Sequence, residues 1–143
     1  GYEAPVYIAW SGTNRSPLIR IPASREENTR VELRSPDPTA NPYLAIALCL
    51  AAGLDGIKNQ VQPPASVNQN IYEMSKSDKK AADIQTLPTN LQDALRELEK
   101  DDFIMQVLGE KTAETYIHAK RAEWQQYTQQ VAAWELEQYL YKF

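Results

Sequence analysis

From Tyr43 to Ala52 the chain offers no polar side on which a helix could meet water, since Leu44, Ala45, Ile46, Ala47, Leu48, Cys49, Leu50 and Ala51 follow one another without a break. A helix that is apolar all round belongs in an interior. The tract ends near Ile57, and no stretch reaches the ~18 unbroken apolar residues that a membrane span requires. Its start is well marked, with Asn41 as N-cap and Pro42 at the first helical position. The expectation is a buried helix in a packed core, with no membrane involvement and with Cys49 as a small packed hydrophobe rather than a reactive thiol.

The residues before this helix read as strands. Residues 4–10, Ala-Pro-Val-Tyr-Ile-Ala-Trp, are rich in β-branched and aromatic side chains, and Ser11-Gly12-Thr13-Asn14 is a turn cluster. Leu18-Ile19-Arg20-Ile21 forms a second strand closed by Pro22. After a polar loop, Arg30-Val31-Glu32-Leu33-Arg34 alternates strictly, so Arg30, Glu32 and Arg34 share one face and Val31 and Leu33 the other.

Charge sharpens this picture. Five of the seven Arg lie in one window (Arg15, Arg20, Arg25, Arg30 and Arg34), and no Lys precedes Lys58. Guanidinium forks bind carboxylate and phosphate bidentately, whereas ammonium does not. Arg without Lys therefore points to anion recognition, with ion pairs to Glu26, Glu27, Glu32 and Asp37 as the equally weighted alternative. The net charge of −4 excludes a general electrostatic trap for nucleic acid. A single Cys forbids an intrachain disulfide and favours a reducing compartment. One Cys and one His cannot build a structural zinc site. Gly1-Tyr2-Glu3 lacks the basic and apolar regions of a signal peptide, and a chain opening on Gly1 reads as a mature product or a fragment.

Residues 60–90 read mostly as connection. Thr89-Asn90-Leu91-Gln92 is expected to cap a helix running to about Lys100. Asp101 and Asp102 start a short helix that Gly109 stops. Glu110 to about Tyr141 lacks Gly and Pro and is expected to be one long helix, with Ala113, Ile117, Trp124, Tyr127, Val131 and Trp134 on one apolar stripe. The tail carries Trp134, Leu136, Tyr139, Leu140, Tyr141 and Phe143, and so many large apolar groups should dock on something.

Three short strands with five Arg and few counter-ions are too little for an independent sheet enzyme, because unpaired buried charge costs several kcal/mol per ion. The charged face should look into a ligand site or onto strands from sequence not present. Glu32 between two cations is held ionised. It can act as an oxygen ligand for Mg²⁺ or Mn²⁺ beside Arg clamps, as phosphoryl transfer requires. The bland alternative, a structural Arg-Glu-Arg ladder, is the commoner one. No Walker loop or GxGxxG is present. His118 reads as a helix-surface residue, and the paired carboxylates Glu26-Glu27, Glu97/Glu99 and Asp101-Asp102 as solvated or capping groups.

Five ordered blocks carry a resemblance. They are Gly1-Tyr2-Glu3-Ala4-Pro5, Asn14-Arg15-Ser16-Pro17-Leu18-Ile19-Arg20-Ile21-Pro22, Arg30-Val31-Glu32-Leu33-Arg34, Pro36-Asp37-Pro38-Thr39-Ala40-Asn41-Pro42-Tyr43-Leu44 and Ala52-Gly53-Leu54-Asp55-Gly56-Ile57-Lys58-Asn59. In this order they resemble the C-terminal part of bacterial type I glutamine synthetase, over essentially the whole chain. The resemblance implies ATP-dependent ligation of ammonia to L-glutamate through γ-glutamyl phosphate, in the cytoplasm. It also implies a double hexameric ring, a dodecamer, with active sites between neighbouring subunits and the apolar tail reaching into the opposite ring.

By the same resemblance, Glu32 is a ligand of the catalytic Mg²⁺ or Mn²⁺ nearer the ATP phosphates. Arg15 is the catalytic group that meets the transferred phosphoryl group. Glu3, Arg15 and Arg34 surround glutamate, and Arg15, Arg20 and Arg30 lie on the ATP side. The family's other metal ligands and its N-terminal domain lie upstream of Gly1, so the 143 residues alone are expected to be inactive. Tyr72 matches a Tyr that some members adenylylate. The nearby proline pair is missing here, so Tyr72 reads as structural. The expected fold is α+β, with a few antiparallel strands (about 4–35) from a larger active-site sheet, then a buried helix and a helical C-terminal region (42–143). Two other functions remain open from the residues: a γ-glutamyl-amine ligase fragment, and a non-catalytic helical assembly module.

Overall fold

The structure, a computed structural model, describes residues 4–142. Glu3 and the tail's Phe143 lie outside the described residues. The chain divides between Leu87 and Pro88 into two compact units.

The first unit is built on a four-stranded sheet in the order β3-β2-β1-β4, with β1 at Tyr7–Ser11, β2 at Pro17–Arg20, β3 at Glu32–Leu33 and β4 at Gln85–Thr86. The α+β class holds, but the strands are not all antiparallel. The outer pairs β2·β3 and β1·β4 are antiparallel, while the central pair β1·β2 is parallel, with Tyr7 opposite Pro17 and Ser11 opposite Arg20. A parallel pair ordinarily needs a crossover of a dozen or more residues. Here residues 12–16 alone make the return. The β4 strand escapes sequence reading because Gln85-Thr86 carries no apolar alternation. It is recruited by the exposed edge of β1, where Leu87 N–H donates to the Val6 carbonyl at 2.8 Å. The third strand shrinks from the expected 30–34 to Glu32–Leu33.

The core of this unit is small: Leu18 and the fully enclosed Ile71 and Pro17, together with the buried hydroxyls of Ser11 and Ser16. Trp10 ties the sheet to the following segment, donating Nε1–H to the Pro64 carbonyl at 2.7 Å and accepting Val67 N–H at its own carbonyl at 2.9 Å.

Helix α1 spans Pro42–Lys58 and starts as its sequence dictates, with Asn41 Oδ1 accepting the N–H groups of Tyr43 at 3.0 Å and Leu44 at 3.3 Å. The expectation that it is buried does not hold. No residue of α1 is buried, and Cys49 is exposed rather than packed. One side, at Leu44, Ala45, Leu48 and Ala51, is half-covered. Tyr43, Ile46, Leu50, Leu54 and Ile57 form a stripe that is more than half exposed throughout. An all-round apolar helix needs neighbours on every side, and the described residues supply them on one. A short helix α2, Lys76–Ala81, begins at Ser75, whose hydroxyl accepts Asp78 N–H at 3.1 Å.

The second unit is helical: α3 Leu91–Lys100, α4 Asp102–Leu108, α5 Glu110–Thr128 and α6 Ala133–Tyr139. Its core is Leu95, Ala113 and Ile117. The cap of α3 is Asn90, not Thr89. Asn90 Oδ1 accepts Asp93 N–H at 2.9 Å, and its amide donates to the Asp93 carboxylate at 2.7 Å. Gly109 stops α4 and opens α5 with φ of 75°, a conformation costly for any other residue. The long helix expected to run to Tyr141 breaks after Thr128. Ala132 turns extended and its N–H is taken by the Glu135 carboxylate at 2.7 Å, one half of a capping box that restarts the chain as α6. The apolar stripe therefore divides: Ala113 and Ile117 are buried, whereas Tyr127, Val131 and Trp134 are exposed. His118 is exposed on α5, as a helix-surface residue should be.

Ile71 has no exposed surface, so Ile71→Ala should lower the stability of the first unit by about 2–5 kcal/mol. Urea unfolding followed at Trp10, in a chain whose other two tryptophans are Phe, will measure it. An unchanged midpoint would mean that the site collapses without leaving a cavity.

Candidate functional site

The charged face expected from the alternation centres on Glu32. The register of β2 and β3 sets Arg20 directly opposite Glu32, and Arg20 Nη1 meets Glu32 Oε2 at 3.0 Å. Arg30, two residues before Glu32 on the same face, closes on the other oxygen through Nε at 2.9 Å and Nη2 at 2.8 Å. Arg30 Nη1 also donates to the Asn28 carbonyl at 3.2 Å, which braces it against its own loop.

The two guanidiniums act differently on the carboxyl. The hydrogen bond from Arg20 is the largest influence and lowers the Glu32 pKa below its ordinary 4.5. Desolvation opposes this, and Arg30 adds a second lowering contribution. Glu32 is therefore ionised at neutral pH. Arg20 Nε is buried and has no acceptor among the described residues, so this guanidinium holds unspent donor capacity beside the carboxylate.

Arg15 and Arg34 form a second cluster. The Arg34 backbone N–H donates to the Leu18 carbonyl at 2.9 Å, extending the β2·β3 ladder, and its Nη1 donates to the Arg15 carbonyl. Arg15 lies in the 12–16 return, where it lines a hollow of about 210 Å³ together with Asn14, Ser16, Asn70 and Tyr72. Tyr72 packs edge-on against Tyr7, with ring centroids 5.4 Å apart. Lys79 Nζ sits 4.7 Å over the Tyr7 ring and donates to its hydroxyl at 3.0 Å.

The structure thus brings Arg20, Arg30 and Glu32 into direct contact and joins Arg34 to the Arg15 turn. Both clusters hang on β2 and its antiparallel partner. Glu3 lies outside the described residues. Arg25, the fifth Arg of the window, folds back on its own loop, donating to the carbonyls of Pro22 at 2.9 Å and Ser24 at 3.0 Å. An Arg-Glu-Arg ladder is present as geometry, but Glu32 is held by Arg30 and by Arg20 of the neighbouring strand, while the expected third member, Arg34, donates to the Arg15 carbonyl.

Sequence reading placed Ser11 and Asn14 in a turn cluster but missed that their polar groups, with those of Ser16 and Asn68, shape the Arg15 turn. Asn14 Oδ1 accepts Ser16 N–H at 2.9 Å, an Asx turn whose spacing is visible in the sequence. The bonds from Asn14 to Val67 and Gln69, and from Ile71 N–H to Ser16 Oγ, have no sequence signal, because they span more than fifty residues.

The family model described as "Glutamine synthetase, catalytic domain" matches residues 1–139. The chain belongs to the glutamine synthetase family. Curated glutamine synthetases of Staphylococcus aureus and Staphylococcus epidermidis are 52% and 51% identical to it over 143 residues, in each case 100% of this chain and 32% of the relative. The chain therefore spans about a third of the length of the curated relatives it matches. Among solved structures, one described as "Apo GmaS without ligand" matches with a TM-score of 0.80 and 39% identity, covering 96% of this chain and 31% of that one. A Plasmodium falciparum glutamine synthetase matches with a TM-score of 0.75 and 25% identity, covering 97% of this chain and 35% of that one.

A carboxyl whose folded pKa is depressed contributes stability above its unfolded pKa and loses it as the pH falls through the folded value. Comparison of the parent with Glu32→Gln should show the parent more stable at neutral pH. The gap should close as the pH drops from about 4.5 toward the acid end. A series of urea midpoints against pH measures it, and a gap that stays constant into strong acid would show that the pairing with Arg20 and Arg30 is not its source.

Proposed function

We propose that the chain is the C-terminal portion of a glutamine synthetase catalytic domain. The complete protein would join ammonia to L-glutamate through γ-glutamyl phosphate, with ATP as co-substrate, in the cytoplasm. The observation that carries this reading is the ionised Glu32 held between Arg20 and Arg30, on strands that also carry the Arg15 turn, in a chain of this family.

Phosphoryl transfer calls for little covalent work by the protein. It calls for positive groups fixed where charge develops. Arg15 is assigned to the phosphoryl group in transfer, Arg34 to the glutamate carboxylate together with Arg15 and Glu3, and Arg20 and Arg30 to the ATP side together with Arg15. Guanidinium suits each task, since it stays charged and offers a planar fork. Arg34 also spends one N–H on the Arg15 carbonyl, so it orients the turn while contributing charge.

Glu32 suits one coordination position of a divalent metal. An ionised carboxylate has about four lone-pair sites. Arg30 approaches Oε1 with two nitrogens and Arg20 approaches Oε2 with one, so Oε2 retains a direction for a cation. Mg²⁺ asks for about six oxygens, and no cluster of three or more metal-ligating side chains occurs among the described residues. The remaining ligands would come from the part of the protein outside this span. When bound, Mg²⁺ or Mn²⁺ would neutralise phosphate charge. The chain's own share is to keep Glu32 ionised and aimed.

Self-association belongs to the same reading. Trp134, Leu136, Tyr139, Leu140 and Tyr141 are each about half exposed or more, which is costly unless another surface covers them. Docking on a second subunit, in the dodecamer typical of the family, would cover them.

Two measurements test these proposals. The full-length protein should form glutamine from glutamate, ammonia and ATP, Arg15→Ala should abolish most of it (about 10³-fold or more, the scale of a phosphoryl-clamping Arg), and the 143 residues alone should form none. Glutamine formation by the 143-residue chain would refute the assignment of missing ligands to the rest of the protein. Removal of residues 134–143 from the full-length protein should lower its native mass, and an unchanged mass would dispose of the docking role.

A further inference from the structure

The return from β1 to β2 is the tightest geometric demand in the first unit. Residues 12–16 must bring the chain back from Ser11 to Pro17 alongside the strand it has just left. Side-chain hydrogen bonds make this possible, and five of them are made by the Asn14 side chain. Its Oδ1 accepts Ser16 N–H at 2.9 Å and the Ser16 hydroxyl at 2.8 Å. Its Nδ2 donates to the Val67 carbonyl at 2.9 Å, the Gln69 carbonyl at 3.2 Å and Ser11 Oγ at 3.3 Å. Ser16 Oγ in turn accepts the N–H of Ile71 at 3.0 Å. Ser11, Ser16 and Ile71 are all buried.

Arg15 lies between Asn14 and Ser16, and both neighbours are pinned to the 67–71 segment. We propose that Asn14 is the positioning residue of Arg15, fixing where its guanidinium meets the transferred phosphoryl group, and that through Asn14 residues 67–71 form part of the active-site scaffold. The inference rests on the function proposed above for Arg15.

The chemistry is specific to an amide, which presents an acceptor and two donors in one plane. Aspartate keeps the acceptor for Ser16 but turns an anionic oxygen toward the Val67 and Gln69 carbonyls. Alanine leaves the buried Ser16 and Ser11 hydroxyls short of a partner. Either change lets the turn shift, and a displacement of about 1 Å in a group that positions a reaction costs about 10²-fold in rate.

The test uses the full-length protein with Asn14→Ala, Asn14→Asp, Arg15→Ala and the Asn14→Ala/Arg15→Ala double variant. Asn14→Ala and Asn14→Asp should each lower kcat by about 10²-fold, with KM values for ATP and glutamate within about threefold of the parent. In the Arg15→Ala background, Asn14→Ala should cost less than about twofold, because its effect runs through Arg15. An equal loss in both backgrounds would overturn the proposal, since a merely structural residue behaves that way. Hydrogen exchange supplies a readout independent of activity. The amides of Ser16 and Ile71 should exchange faster in Asn14→Ala while that of Ile21 does not change, and unchanged exchange at Ser16 and Ile71 would equally overturn it. Should Asn14→Ala fail to fold, Asn14→Ser, which keeps a short acceptor and loses the reach to Val67, serves in both measurements. A parent protein that makes no glutamine would refute the proposed function, leaving exchange to decide the positioning of the turn.

Discussion

A carboxylate gripped from two sides by guanidinium groups is the interaction on which the charged sheet edge depends. Each partner alone would be a liability: Glu32 without cations would be a half-buried charge, and Arg20 without Glu32 would carry its partly enclosed guanidinium against a sheet with no counter-ion. Together they set a local order of priorities. Arg20 supplies the dominant contact across strands, Arg30 a second from the same strand, and desolvation is outweighed. The pairing also restrains β3, a strand of only two residues at the edge of the sheet, which backbone bonds alone would hold weakly. Structural ladder and candidate ligand set are thus compatible roles. An ion pair that fixes the register of an edge strand also holds an ionised oxygen at a defined place.

The parallel β1·β2 pair adds a second constraint. Because the return between the strands is so short, its residues cannot satisfy their polar groups with regular backbone ladders, and buried groups left unmet would cost free energy comparable to a lost hydrogen bond. Side chains of Ser11, Asn14, Ser16 and Asn68 take over that work. The result is a turn made rigid by necessity, with Arg15 at its centre and Arg34 bonded to its carbonyl. Rigidity demanded by topology is the rigidity that the role proposed for Arg15 would need.

How much of this was legible in the sequence follows from the range of each interaction. The start of α1 at Asn41-Pro42, the stop at Gly109 and the common face of Arg30 and Glu32 all depend on neighbours within four residues, and the sequence carried them. The shift of the α3 cap from Thr89 to Asn90 shows the limit of such reading, since both residues are good caps and only geometry chooses. The parallel sense of β1·β2 and the strand at Gln85–Thr86 depend on partners far along the chain. So do the bonds from Asn14 to Val67 and Gln69 and between Ser16 and Ile71, and no local pattern encodes them. The roles proposed for the site residues come chiefly from family resemblance. From spacing alone, a structural ladder is the better explanation of Arg30, Glu32 and Arg34.

Helix α1 shows that a local apolar pattern does not by itself set burial. Its apolar surface is all round, yet Ile46, Leu50, Leu54 and Ile57 remain mostly exposed. Burial of such side chains stabilises by about 1.5–3 kcal/mol each, so a chain in which they stay wet forgoes much of the free energy its sequence encodes. The sequence is therefore fitted to more neighbours than the described residues provide. The curated relatives it matches are about three times as long. The charged edge at β3 makes the same case in polar terms, because an edge strand with open backbone groups invites a further strand. Apolar helix and charged edge, read with opposite chemistry, both fit the proposal that this span is one part of a larger sheet-and-helix fold.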